Sequence, residues 1–259
     1  MKQYIVDAFA DELFGGNPAA IVPCDSMPSS ELMQKIAIEN NYSETAFVVR
    51  KAEGYYELKW YTPGGEIDLC GHATLGTAFV ICRFIDPGIE KMHFNTIGGE
   101  LTVVSNDEGF TLEFPAGSTA RIPVGKEISD ATSGLAEKAY YDGGDMVVLV
   151  KDEKSLAEFE PDSEKIKRVE GVGLVMTAPS EEYDFVSRCF YPKMGVAEDP
   201  VTGRAHTFLA PLWSQWLAKD TMKAKQISER GGVLTVRCEG DRVFISGNVQ
   251  LFMTGEIFV

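Results

Sequence analysis

Two acids and a histidine stand where their surroundings suit them to acid–base work. Glu44 falls between the polar stretch Asn40-Asn41-Tyr42-Ser43 and an apolar run that begins at Thr45. A carboxylate at such a boundary is partly desolvated, which helps it take a proton from carbon and return it. The plainer alternative is a solvated glutamate at a strand edge. His72 opens an otherwise apolar helix after Gly71, where the helix dipole disfavours imidazolium. A neutral hydrogen-bonding role fits it, as does simple capping or packing. Asp199 lies four residues before Gly203, and Pro200 holds its predecessor out of the α region, fixing where the carboxylate points. Asp-Pro is equally ordinary turn chemistry.

Cys70 precedes Gly71, a place where a helix N-terminus can produce a low-pKa thiolate. The matching second position is Thr202, so a two-thiol racemase lacks a partner and Cys70 reads more simply as a packing residue. No metal site is expected: His72, His93 and His206 make no close pair, and CxxC and HxxxH spacings are absent. His206 reads as packing or support. Neither GxGxxG nor a P-loop occurs, so no nucleotide cofactor is expected.

The elements that must position these groups look like one unit written twice. Cys70-Gly71-His72-Ala73-Thr74-Leu75-Gly76 and Thr202-Gly203-Arg204-Ala205-His206-Thr207-Phe208 each open a helix after an aromatic–proline lead-in, Trp60-Tyr61-Thr62-Pro63 or Phe190-Tyr191-Pro192. Glu66 and Glu198 stand five residues before their glycines. Helix N-termini present unpaired N–H groups and partial positive charge, so paired starts suit a small anion held in a cleft. Strands are expected at Gln3–Ala8, Ala19–Val22, Thr45–Arg50 and Tyr55–Tyr61, with a helix opened by Ser29-Ser30-Glu31. The uncharged stretch from Gly71 to about Arg83 reads as a buried helix stopped by Asp86-Pro87-Gly88. Strands follow around Lys91–Asn95, Glu100–Ser105 and Phe110–Phe114, with a turn at Asp107-Glu108-Gly109. Pro115-Ala116-Gly117-Ser118 is the expected linker between lobes at 1–116 and 117–259, the final strand being free to return to the first lobe. The second lobe repeats the alternation, with strands at Met146–Val150, Gly173–Ala178 and Phe185–Tyr191. Its helix carries Pro211, expected to kink or distort it. Strands near Val233–Arg237, Arg242–Ser246, Gln250–Thr254 and Glu256–Val259 close the chain.

Composition narrows the partners. The 259 residues carry a formal charge of −15 with no lysine or arginine cluster, which makes nucleic acid a poor partner. Five scattered cysteines, the absence of a secretory leader pattern and the absence of a long apolar run point to a reduced, cytoplasmic, soluble protein without a membrane partner.

At these same residues the sequence resembles the PhzF family of phenazine-biosynthesis-like isomerases. The matching blocks are Val6-Asp7-Ala8-Phe9 through Phe14-Gly15-Gly16-Asn17-Pro18-Ala19-Ala20, Asn41-Tyr42-Ser43-Glu44-Thr45-Ala46-Phe47, Gly71-His72-Ala73-Thr74-Leu75-Gly76 and Glu198-Asp199-Pro200-Val201-Thr202-Gly203, in family order. The resemblance implies an α+β, diaminopimelate-epimerase-like fold: two similar lobes, each of antiparallel strands around a central helix, with the active site between them. It implies no metal, no organic cofactor and, as its suggestion only, a homodimer. It makes Glu44 the proton-shuttling acid, His72 and Asp199 substrate-contacting groups, and the backbone at Gly71, His72 and Ala73 and at Gly203, Arg204 and Ala205 a pair of carboxylate-holding helix starts. The best-known family activity is isomerisation of trans-2,3-dihydro-3-hydroxyanthranilate. Many members carry serine where this chain has Arg204. That cation either clamps a carboxylate or phosphate, or pairs with Glu198 or Asp199 and fills the site.

The expected function is cofactor-independent isomerisation of a small anionic metabolite. Two rivals stand beside it: a non-catalytic binding module on an inherited scaffold, signalled by Arg204, and a racemase or epimerase using Cys70.

Overall fold

The computed structural model describes residues 1–106 and 109–259, so Asp107 and Glu108 of the expected turn lie outside the described residues. The chain divides into two compact units, Met1–Phe114 with Phe244–Val259, and Pro115–Val243.

In the first unit β1 (Lys2–Ala8), β2 (Asn17–Cys24), α1 (Ser30–Asn40), β3 (Glu44–Ala52), β4 (Tyr55–Thr62), β5 (Gly65–Ile67), α2 (Gly71–Val80), β6 (Lys91–Thr96), β7 (Gly99–Asn106) and β8 (Gly109–Pro115) follow in order. Ser29 caps α1 by accepting the Leu32 N–H, and Asn41 ends it in the left-handed region at φ 53°. Met33, Ile36 and Ala37 of α1 pack on Val22 and Phe47, which fixes the helix as the crossover between parallel β2 and β3. That crossover delivers Glu44 as the first residue of β3.

Helix α2 is buried from His72 to Ala78. Its apolar circumference leaves no face for water, as the lack of charge in the sequence anticipates. A Cβ at Gly76 would lie 2.6 Å from Val6 Cγ2, so the glycine sets how closely α2 approaches β1. Beyond Val80 the helix widens into a π turn, Ile81–Ile85.

The second unit comprises β9 (Ala120–Ile122), α3 (Lys126–Ala131), β10 (Ala136–Tyr141), β11 (Met146–Val150), α4 (Glu153–Ala157), α5 (Ser163–Ile166), β12 (Leu174–Ala178), β13 (Phe185–Tyr191), β14 (Val196–Asp199), α6 (Gly203–Leu217), β15 (Thr221–Gln226) and β16 (Gly232–Glu239). The unit boundary falls within β17 (Arg242–Gly247), and β18 (Val249–Glu256) pairs antiparallel with β1.

The strand pairings write the same topology twice. In the first unit β2 and β3 are parallel across α1, β3–β4 and β4–β5 are antiparallel, α2 follows, β4 and β6 are parallel, and β6–β7 are antiparallel. In the second, β11 and β12 are parallel across α4 and α5, and β12–β13 and β13–β14 are antiparallel. Then α6 follows, β13 and β15 are parallel, and β15–β16 are antiparallel. Each unit therefore adds two parallel pairs to an otherwise antiparallel arrangement.

Pro211 lies inside α6, which continues as helix to Leu217 and ends at Ala218 in the left-handed region. One expectation needs correction. The separate strand expected at Glu256–Val259 does not form. Gly255 stays extended opposite Gln3, so β18 continues through it to Glu256, and the last three residues are irregular. No helix among the described residues is long and apolar enough to cross a membrane.

Candidate active site

In the first unit the α1 crossover and the α2 N-terminus bring Glu44, Cys70 and His72 together, although Glu44 is far from the other two in sequence. Glu44 Oε2 lies 2.8 Å from His72 Nε2, with side chains 14% and 8% exposed. Both atoms are buried, and neither makes a well-aligned hydrogen bond. The contact is thus a close charge pair whose N–H does not point along the oxygen lone pair. On the other side of the ring, Cys70 Sγ is 3.6 Å from His72 Nδ1.

The electrostatics differ from expectation in two respects. Burial opposes a charged imidazole at His72, yet the adjacent Cys70 and Glu44 outweigh it and raise its pKa well above the ordinary value. Both neighbours thus act against the neutral imidazole that the helix dipole favours, and one of them, Glu44, is supplied from β3. Burial also pushes the Cys70 thiol up, with the Glu44 carboxylate adding to the effect. The low-pKa thiolate that its position permits does not form.

Gly71, His72 and Ala73 form the first turn of α2, and the N-cap Cys70 makes no side-chain capping bond. Gly203, Arg204 and Ala205 form the first turn of α6, where the N-cap Thr202 likewise makes none. Thr202 Oγ1 instead donates to Asp199 Oδ2 at 2.5 Å. The turn from Asp199 to Gly203 is held by Gln226 of β15. Its amide nitrogen donates to the Asp199 carbonyl at 2.7 Å, and its amide oxygen accepts the Thr202 N–H at 2.9 Å. Gln226 is fully buried, and the Cys189 thiol reaches its oxygen at 3.6 Å.

Arg204 forms its ion pairs with two acids that the sequence does not single out. It pairs with Asp145 and with Asp142, the latter at 3.2 Å. Glu198 is taken by Arg188 through two 2.8 Å bonds, and Glu66 by Lys59 and Tyr61. The loop from Asp142 to Asp145 is shaped to the guanidinium: Asp142 Oδ1 accepts the Gly144 N–H at 2.7 Å, and a Cβ on Gly144 would meet Arg204 Nη2 at 2.6 Å. Asp145 is fully buried, and burial raises its pKa although Arg204 pulls the other way. His206 is buried as well, with Nδ1–H donating to the Thr202 carbonyl at 2.8 Å and the ring stacked on Phe185. That matches the packing role read from its place in the helix.

Gln226, Asp142 and Asp145 were missed by sequence reasoning. Only Gln226 leaves a trace, as the one polar residue on the buried face of β15, in the pattern of buried Met222 and Ala224.

The arrangement has known relatives. Residues 6–255 match the family model described as phenazine biosynthesis-like protein. An uncharacterized isomerase of Pseudomonas aeruginosa is 45% identical over 252 residues, spanning 97% of this chain and 96% of that protein. A crystal structure of a PhzF-family phenazine biosynthesis protein from Enterococcus faecalis superposes with a TM-score of 0.96 at 44% identity, covering 100% of this chain and 99% of that one. A hydroxyproline epimerase from Agrobacterium vitis, at 13% identity and a TM-score of 0.64, shares the fold alone, over 98% of this chain and 91% of its own. The fold is thus the α+β architecture shared with epimerases. The chain belongs to the PhzC-PhzF, phenazine biosynthesis-like family.

Proposed function

We propose that the protein is an isomerase that shifts a proton within a small carboxylate-bearing metabolite without an organic cofactor or metal, with Glu44 as the proton carrier. One observation carries the reading. A mostly buried carboxylate and an imidazole sit 2.8 Å apart at an uncapped helix start, each with an atom that no aligned hydrogen bond engages. Glu44 takes the proton from one substrate carbon and returns it to another, so the reaction is balanced by the substrate alone. His72, whose pKa Cys70 and that carboxylate raise, orients a polar substituent. In this reading the backbone N–H groups at Gly71–Ala73 and at Gly203–Ala205 contact anionic substrate groups, and Asp199, fixed by Thr202 and Gln226, contacts a polar one. Similarity to proteins named as isomerases supports the reaction class. The binding-module alternative drew on Arg204 pairing with Asp199 or Glu198; the ion pairs of Arg204 instead run to Asp142 and Asp145, and Arg188 holds Glu198.

Candidate carboxylates incubated in D₂O provide the test. Wild type is expected to incorporate deuterium at carbon, and Glu44→Gln to slow that incorporation by about 10²–10⁴-fold while melting cooperatively. Equal incorporation by the two proteins would remove Glu44 from the chemistry.

A further inference from the structure

We propose that Glu44, Cys70 and His72 form a binding site for a thiophilic divalent cation such as Zn²⁺, and that the bound ion silences the proton carrier. Each residue offers one donor atom, and the three atoms lie within 4.8 Å of one another. A carboxylate oxygen, an imidazole nitrogen and a thiolate sulfur make a mixed set that borderline-soft Zn²⁺ accepts, with a fourth position left open. Neighbouring donors on a tetrahedral ion with bonds of about 2.0–2.3 Å stand roughly 3.3–3.6 Å apart. His72 is common to two contacts, with Glu44 Oε2 2.8 Å from Nε2 and Cys70 Sγ 3.6 Å from Nδ1. A single ion uses one ring nitrogen, so its entry requires the first pair to open and the sulfur to move toward the nitrogen that the ion takes.

A second observation points to a ligand. Glu44 Oε2 and His72 Nε2 are buried atoms without an aligned hydrogen bond, and an ion between them would satisfy both. Coordination displaces the Cys70 thiol proton, and the proton on the His72 nitrogen that the ion takes, to solvent, so the ion binds more tightly as pH rises. The ion would occupy the carboxylate that the isomerase reading assigns to proton transfer. Only that inhibitory consequence rests on the proposed function; the ion site does not.

Co²⁺ titrated into metal-stripped protein and followed by absorption reads the site directly, because a cobalt–thiolate bond gives a charge-transfer band in the near ultraviolet. Saturable binding with this band is expected, with Zn²⁺ displacing Co²⁺. Cys70→Ser should remove the band. Glu44→Gln and His72→Asn should weaken binding by more than about tenfold. A band that survives Cys70→Ser, or no saturable binding at all, overturns the proposal. The D₂O assay separates the two readings. Zn²⁺ that binds at these residues yet leaves exchange untouched sustains the ion site and removes Glu44 from catalysis. Exchange that depends on Glu44 in a protein that binds no ion does the reverse.

Discussion

Burial decides the protonation of the least conspicuous histidine, and the consequence is measurable. His206 has no charged neighbour to offset its desolvation, and burial pushes its pKa down to about 4. The unfolded chain, with an ordinary histidine near 6.5, binds the proton more readily, so stability falls as pH drops below 6.5 and the loss is complete below about 4. The full loss is of order 3 kcal/mol. His206→Gln is expected to flatten the decline in stability between pH 7 and pH 4, as measured by urea unfolding at each pH. An unchanged slope would show that some other group carries the acid lability. The buried His206 and the helix starts at Gly71 and Gly203 were legible because their local contexts announce them. Asp142 and Asp145 were not, because their role exists only once the second unit folds and Arg204, some sixty residues away, lies across their loop. The raised pKa of His72 was hidden for a similar reason: one of the two neighbours that raise it, Glu44, comes from another strand, and helix position alone argues the other way.

Helix α2 shows what an element contributes beyond its own residues. Its start carries Gly71, His72 and Ala73, and its middle must approach β1 closely enough to hold that start in place. Gly76 permits the approach, since a methyl there would meet Val6 Cγ2 at 2.6 Å, with Ile21 Cδ1 at 3.5 Å. Val6 and Ile21 are fully buried and branched at Cβ, so neither can swing aside cheaply. Gly76→Ala is expected to destabilise the protein by about 1–3 kcal/mol despite the better helix propensity of alanine, a drop of several degrees in Tm. A Tm equal to or above that of wild type would mean that α2 shifts to make room. The strong strands and both long helices were readable from periodicity and capping. The short β5, β9 and β14 were not, because three or four residues give no usable period. The break expected between Gln250–Thr254 and Glu256–Val259 is absent because pairing with β1 keeps Gly255 extended. The parallel pairs were equally invisible, since strand direction is set by crossovers and not by composition.

The molecule as a whole pits its net charge against its local charge. Duplicated topology gives each unit one helix start, but the copies are not equivalent. Leu174 opens β12 where Glu44 opens β3, so the acid that starts β3 has no counterpart at the matching place in the second unit. Arg204 brings no net positive charge to the other start, because Asp142 and Asp145 together outnumber it. A helix N-terminus contributes roughly half a positive charge, felt within about one turn. The whole chain carries −15. At distances beyond a few ångströms the net charge therefore dominates, and a carboxylate substrate approaches against an opposing field that salt screens over about 10 Å at 0.1 M. For any carboxylate that proves to be turned over, kcat/KM is expected to rise a few-fold between about 10 and 200 mM NaCl, while the matching neutral ester shows no such rise. A kcat/KM that instead falls with salt would mean that a locally positive path guides the substrate in, and that the two acids beside Arg204 do not cancel its charge where the substrate passes.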